Sequence, residues 1–164
     1  MNSASGSAAS YAPIAKSLHW LIAFGVFGMV PVGVYMVWRG AATNFDATTD
    51  TLYSTHKLTG FVIFWLMAAR IAWRLSKGAP SPVPTLTRLE RIASETVHGL
   101  LYVMLVLTPL LGLAGVSAFA AREVFGLFSL PQILPENEAL AKTILKIHGL
   151  SALTLVALAA AHIG

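Results

Sequence analysis

The sequence has no cysteine and few charged residues, and both absences narrow what the protein can be. Without cysteine the chain forms no disulfide bond, no thiolate metal site and no iron–sulfur cluster. Charged residues make up 11% of the 164 residues and hydrophobic residues 56%, whereas a soluble domain typically carries about 25% charged residues. The composition therefore argues against a soluble domain and indicates a membrane protein.

Four long apolar segments account for this composition, at about 14–38, 54–76, 94–118 and 143–164. A helix crosses a hydrocarbon core of about 30 Å in about 20 residues. Because lipid offers no partner for a backbone amide, each segment must be helical. We therefore predict an all-α fold, an integral membrane four-helix transmembrane bundle formed by residues 13–164. Polar linkers are expected at 39–55, 76–95 and 121–144, with an interfacial helix or turn at 124–130.

The first twelve residues and the charges suggest an orientation. Residues 1–12 are small and polar without a basic segment, which is typical of a disordered tail and not of a signal peptide. With both termini in the cytoplasm, the inner side carries six Lys and Arg residues and the outer side five. The positive-inside rule favours this orientation. The net charge of +4 comes from basic residues flanking apolar runs, so we expect the bilayer as partner and no nucleic acid.

The five histidines all lie within or beside apolar segments. Ionisable side chains in a span are costly, which makes them functional candidates. Since successive spans alternate in direction, His19, His98 and His162 fall at an inner level and His56 and His148 at an outer level. His148 and His162 are fourteen residues apart, about 21 Å along one side of the fourth helix. The fourth helix can therefore supply a ligand to each of two stacked sites.

Two axial imidazoles at each level are typical of haem iron. Zinc or copper would need three or four ligands close together, often with carboxylates, and no Asp or Glu lies in the membrane core. The absence of a C-x-x-C-H motif means that haem would be held non-covalently. A small channel or transporter that uses histidines as proton sites is the non-haem alternative.

Short segments at or near the four spans form an ordered set: Ser17-Leu18-His19-Trp20, His56-Lys57-Leu58-Thr59-Gly60, Arg70-Ile71-Ala72-Trp73-Arg74, His98-Gly99-Leu100-Leu101-Tyr102 followed by Pro109 and Gly112, Lys146-Ile147-His148, and His162. In these segments the sequence resembles the bacterial cytochrome b561 family, in its superoxide oxidase-like branch, from about Tyr11 onward. No single matching motif is specific, but their order and spacing over four spans are. Relatives often carry Glu after the fourth-span histidine, where this chain has Gly149.

The resemblance implies two haem b groups in a multi-pass protein of the bacterial inner membrane. His19 and His162 would ligate the inner haem iron, and His56 and His148 the outer one. The implied function is electron transfer from superoxide to ubiquinone, which would make the protein a superoxide:ubiquinone oxidoreductase. The alternative is a quinol-linked electron carrier that serves another redox partner and has no superoxide chemistry of its own.

Five further residues are candidates with more than one interpretation each. His98 contacts a quinone, or forms a hydrogen bond to a haem propionate or a backbone group near the inner haem, or ligates iron in place of His19. Arg70 and Arg74 either pair with haem propionates or extend to the membrane surface as ordinary basic anchors. Lys57 and Lys146 adjoin the outer histidines, where they either steer a small anion such as superoxide or serve as solvated loop charges.

Overall fold

The computed structural model describes residues 11–78 and 85–163, which form four long helices. Residues 1–10 of the predicted tail, part of the proline-rich linker and Gly164 lie outside the described residues. All four helices are long and apolar enough to cross a membrane, which confirms the predicted four-helix membrane fold. The helices are α1 (Pro13–Thr43), α2 (Ala47–Lys77), α3 (Arg88–Ala118) and α4 (Glu138–Ile163).

Capping interactions set where the helices begin. Asp46 accepts a hydrogen bond from the Thr49 amide at the start of α2. Thr87 and Glu90 form a reciprocal capping box at the start of α3, and the Asn137 side chain accepts from the Leu140 amide at the start of α4. These side chains satisfy amides that have no partner within the helix.

The helices extend past the predicted spans into segments expected to be linkers. Between α1 and α2 only residues 44–46 are outside a helix, whereas the sequence suggested a linker over 39–55. Asn44 ends α1 in the left-handed conformation (φ 49°), and its amide donates to the Gly40 carbonyl. Helical hydrogen bonding does not stop where the apolar sequence stops, so capping residues and not hydropathy determine the ends of these helices.

The connection between α3 and α4 folds against the bundle. Strands β1 (Glu123–Val124) and β2 (Phe128–Ser129) pair antiparallel, where the sequence suggested a short helix or turn. Val124 is fully buried, and the Phe125 amide donates to the hydroxyl of Ser54 on α2. The buried Ser117 hydroxyl accepts from the Ile133 and Leu134 amides. The connection is therefore anchored on both α2 and α3.

In the described part of the chain, close packing joins only helices that are consecutive in sequence. Within residues 11–78 and 85–163, α1 packs on α2, α2 on α3 and α3 on α4, whereas α1 and α4 have almost no direct packing. Ile22, Ile63 and Met67 form a small buried cluster between α1 and α2. Large side chains such as Phe24 and Leu153 are mostly exposed, as expected of surfaces that face lipid. The bundle is thus open along the faces of α1 and α4 that carry histidines.

Candidate functional site

The structure brings four histidines together as two pairs at opposite ends of the bundle. At the terminal side, where α1 begins and α4 ends, the ring centroids of His19 and His162 are 6.0 Å apart. At the hairpin side, which carries the α1–α2 turn and the β1–β2 hairpin, those of His56 and His148 are 6.1 Å apart. The ring planes are steeply inclined in both pairs, at 78° and 87°. α4 therefore contributes one ring to each pair.

The spacing within each pair fits two axial ligands of one metal. Metal–imidazole bonds are about 2 Å long and a ring nitrogen lies about 1 Å from its ring centre, so two ligands on opposite sides of a metal have centroids about 6 Å apart. In the described part of the chain no three or more His, Asp or Glu side chains are grouped to hold a metal ion. A site with two protein ligands suits iron whose other ligands come from a porphyrin.

The ring of His148 lies against α3, where a glycine makes room for it. A Cβ atom built on Gly112 would lie 3.1 Å from His148 Cε1 and 3.3 Å from Nδ1. The same ring donates its Nδ1 hydrogen to the carbonyl oxygen of Thr108, at 2.9 Å. Because a carbonyl only accepts, this bond fixes the proton on Nδ1 and leaves Nε2 as the free lone pair for a metal.

The ring of His56 lies against α1 in a similar way. A Cβ on Gly33 would lie 3.1 Å from His56 Cε1 and 3.6 Å from Nδ1. The Nδ1 atom is buried without a hydrogen-bond partner. Unlike His148, His56 therefore has no hydrogen bond that orients its ring, and the contact with the α1 backbone at Gly33 is what limits its position.

A third histidine joins the terminal pair. The His98 centroid lies 4.8 Å from that of His162, and its Nδ1 donates to the Ser94 carbonyl at 2.6 Å. The spacing of 4.8 Å is shorter than two axial ligands of one metal require. The geometry therefore favours His19 over His98 as the partner of His162 and leaves His98 beside the site.

The two arginines lie near the terminal pair. Arg70 donates to the carbonyl of Ala15 at 2.7 Å, one helical turn before His19. Arg70 and Arg74 both approach the ring of Tyr102, with guanidinium carbons 6.0 and 5.5 Å from its centroid. Arg70 therefore links α2 to α1 beside His19, and Arg74 is the more exposed of the two.

Several basic side chains at the hairpin side already have a hydrogen-bond or ion-pair partner. Lys57 donates to the carbonyls of Ala121 and Glu123 and so ties α2 to the α3–α4 connection. Arg39 forms a short ion pair with Asp46, which lowers the pKa of that carboxyl to about 2. Lys142 donates a hydrogen bond to Glu138 and so lowers the pKa of the Glu138 carboxyl. Lys146 is exposed and in no ion pair among the described residues.

Comparison with known proteins identifies the family. The family described as prokaryotic cytochrome b561 matches residues 10–164. The chain belongs to the prokaryotic cytochrome b561 family. It is also similar to cytochrome b561 homolog 2 of Escherichia coli (strain K12), with 28% identity over 156 residues, which cover 93% of this chain and 80% of that protein.

Membership of the cytochrome b561 family confirms the predicted resemblance and the general function. The protein is a multi-pass bacterial membrane cytochrome that uses haem b in electron transfer. The residue contacts that sequence reasoning missed are the Thr108 carbonyl and the two ion pairs at the hairpin side. A backbone carbonyl has no sequence signature, and the pair of Arg39 and Asp46 depends on the turn between α1 and α2. The pair of Glu138 and Lys142 could have been found from its i,i+4 spacing.

Proposed function

We propose that the protein is a di-haem cytochrome b561 that transfers electrons from superoxide to ubiquinone across the bacterial inner membrane. The single observation that carries the proposal is the presence of two histidine pairs, at 6.0 and 6.1 Å, at opposite ends of one bundle. His56 and His148 would hold one haem b and His19 and His162 the other. When bound, haem supplies a one-electron carrier at each end.

The electron balance requires two turnovers at the hairpin side for each quinone. Two superoxide ions each lose one electron and leave as dioxygen. Two electrons and two protons then convert one ubiquinone to ubiquinol at the terminal side. We place the termini in the cytoplasm, because six of the eleven Lys and Arg residues belong to the terminal side and five to the hairpin side.

We assign the quinone contact at the terminal side to His98. Its Nδ1 donates to a backbone carbonyl at 2.6 Å, so a second proton on the ring would be held by Nε2. A protonated ring can donate from Nε2 to a quinone carbonyl and pass on its proton. Arg70 and Arg74, which flank Tyr102, are the candidates for pairing with haem propionates.

Superoxide would be attracted by single exposed cations near the hairpin-side histidines and not by a net positive charge of that whole side. The hairpin side carries Arg39, Lys57, Arg122, Lys142 and Lys146 against Asp46, Asp50, Glu123, Glu136 and Glu138, so its formal charge is zero. Lys146 lies two residues before His148 and is exposed. It is therefore the best candidate for local steering, whereas Lys57 is already engaged by two carbonyls.

The neutral hairpin side supports a second candidate function. A quinol-linked carrier that passes electrons to another redox protein needs no attraction for a small anion. Such a carrier would have the same two histidine pairs and the same terminal-side quinone contact. The two candidates differ only in what reacts at the hairpin side.

Stopped-flow mixing of the haem-loaded protein with superoxide distinguishes the two candidates. We expect the haem absorption bands to show reduction faster than superoxide dismutates spontaneously, and added superoxide dismutase to abolish the reduction. Lys146→Gln should slow the reaction more than Lys142→Gln, because Lys142 is already paired with Glu138. Reduction no faster than dismutation, together with full reduction by quinol, would reject superoxide chemistry in favour of the carrier.

A further inference from the structure

Two glycines on different helices occupy the same position relative to a histidine ring. A Cβ on Gly33 would lie 3.1 Å from Cε1 of His56, and a Cβ on Gly112 would lie 3.1 Å from Cε1 of His148. Ordinary carbon–carbon contacts are about 3.5–4.0 Å. Either ring would have to move if its glycine carried a side chain. The hairpin-side pair is thus held between the backbones of α1 and α3.

The contact at Gly112 also controls a hydrogen bond. The Thr108 carbonyl that accepts from His148 Nδ1 lies one helical turn before Gly112 on α3. The ring reaches this carbonyl at 2.9 Å because nothing projects from Gly112. A hydrogen bond from Nδ1 to a carbonyl orients a ligating imidazole and makes it a stronger donor to the metal.

We propose that Gly33 and Gly112 are positioning residues for the hairpin-side haem, and that Gly112 also sets its reduction potential through the bond between His148 and Thr108. The proposal rests on the proposed ligation of haem by His56 and His148. Neither glycine contacts the reacting atoms. Each acts through the ring that it allows to lie against the helix.

The two glycines should differ in their effect. His56 Nδ1 has no hydrogen-bond partner, so a methyl group at Gly33 displaces the ring without breaking such a bond. A methyl group at Gly112 displaces the ring and lengthens the bond to Thr108. A weaker donor stabilises ferric iron less, so the reduction potential of the hairpin-side haem should become more positive in Gly112→Ala.

The chain offers matched controls on the same or the neighbouring helix. A Cβ on Gly28, in α1, or on Gly149, next to His148 in α4, would meet nothing within 4 Å. Alanine also has the higher helix propensity. Gly28→Ala and Gly149→Ala should therefore keep the haem content, spectrum and potentials of the parent protein.

The experiment compares the four variants by pyridine haemochrome content, redox titration of the visible bands and electron paramagnetic resonance of the ferric haems. We expect Gly112→Ala to lower haem affinity at the hairpin side about 10–100-fold, as loss of an orienting partner does at other metal sites. Gly33→Ala should lower the affinity less, because no hydrogen bond is lost. Only Gly112→Ala should shift one potential positively. The terminal-side haem is the internal reference, because its ligands contact neither glycine.

Several results would overturn the proposal. Unchanged affinity, resonance and potential in Gly33→Ala and Gly112→Ala would show that the glycines do not position the rings, and equal changes in the controls would show a general effect of alanine. If Gly112→Ala fails to accumulate in the membrane, unchanged haem affinity and resonance at the hairpin side in Gly33→Ala still contradict the proposal that the glycines position the rings. A parent protein without a haem ligated by His56 and His148 would instead refute the proposed function.

Discussion

At the scale of single residues, the distances between ring centroids distinguish histidines that the sequence alone leaves equivalent. The terminal side contains His19, His98 and His162, of which only two can ligate one iron. The centroid distance from His162 is 6.0 Å for His19 and 4.8 Å for His98. Only the longer distance matches two imidazoles on opposite sides of a metal, at about 6 Å.

We predict that His98→Gln retains two haems per chain, whereas His19→Gln retains one. Glutamine at position 98 preserves polarity beside the site but leaves the pair of His19 and His162 intact. Pyridine haemochrome content per chain measures the outcome. Loss of a haem in His98→Gln, with two haems kept in His19→Gln, would make His98 the ligand.

A second residue-scale prediction concerns the turn between α1 and α2. The ion pair with Arg39 and the bond from the Thr49 amide hold the pKa of Asp46 at about 2, below its ordinary value of 3.8. A lowered pKa stabilises the folded protein above pH 4, and that contribution disappears as the pH falls towards 2. Asp46→Asn keeps a capping side chain but removes the charge.

Thermal unfolding of the detergent-solubilised protein measures this contribution. We expect Asp46→Asn to melt at a lower temperature than the parent at pH 7, and the difference to vanish as the pH falls from about 4 to about 2. Asp50→Asn, in the first turn of the same helix, is the control that leaves the ion pair intact. A difference that persists at pH 2 would mean that the charge is not responsible.

At the scale of elements, small residues decide how closely neighbouring helices approach. A Cβ on Gly115 of α3 would lie 2.5 Å from Cδ2 of Leu145 on α4. On the other side of the bundle, a Cβ on Gly25 of α1 would lie 3.0 Å from Cδ1 of Ile63 on α2. In a membrane, where helices associate by packing and not by the hydrophobic effect, such contacts are a main source of stability.

We predict that Gly115→Ala destabilises the protein by about 1–3 kcal/mol, the usual cost of overpacking. Shortening the facing side chain should relieve the clash, so Gly115→Ala combined with Leu145→Ala should be less destabilised than the sum of the two single variants. Denaturant titration in mixed micelles measures both. Additive effects would show that the two residues do not share one contact.

At the scale of the whole molecule, α1 and α4 face each other through histidine rings and hardly through helix packing. Among the described helices, α1 and α4 hardly pack against each other, yet His19 on α1 faces His162 on α4. A haem held by both would join the two ends of the chain of helices. A ligand that binds only the folded state stabilises it by an amount that grows with the logarithm of the free ligand concentration relative to the dissociation constant.

We therefore predict that haem loading raises the unfolding temperature and that the gain depends on the number of haems bound. A free ligand concentration of 1,000 times the dissociation constant adds about 4 kcal/mol to the free energy of unfolding. Protein produced under haem limitation and then reconstituted should recover the full melting temperature. His19→Gln should recover only part of it, whereas equal melting with and without haem would contradict the prediction.

Charge distribution is another property of the whole chain. The hairpin side is formally neutral, and residues of the terminal side carry the entire net charge of +4. This asymmetry is readable from sequence once the helix order is known. The pair of Glu138 and Lys142 is readable from its i,i+4 spacing on one helix. The pair of Arg39 and Asp46 is not, because it forms only across the turn between α1 and α2.

The sequence by itself determined the membrane bundle and the two levels of histidines. Lipid forces every apolar span to be helical, and fixed helical rise places residues fourteen apart at opposite depths. It did not determine the short turn at 44–46 or the β1–β2 hairpin, because caps and tertiary hydrogen bonds end helices where hydropathy does not.

Tertiary structure alone decided how the rings are held. The choice between His19 and His98 depends on centroid distances across three helices. The orientation of His148 depends on a backbone carbonyl at Thr108 and on empty space beside Gly112. The position of a backbone carbonyl, or of the space beside a glycine, relative to a ring is set only when the helices pack. The sequence could therefore name these histidines but not how their rings are oriented.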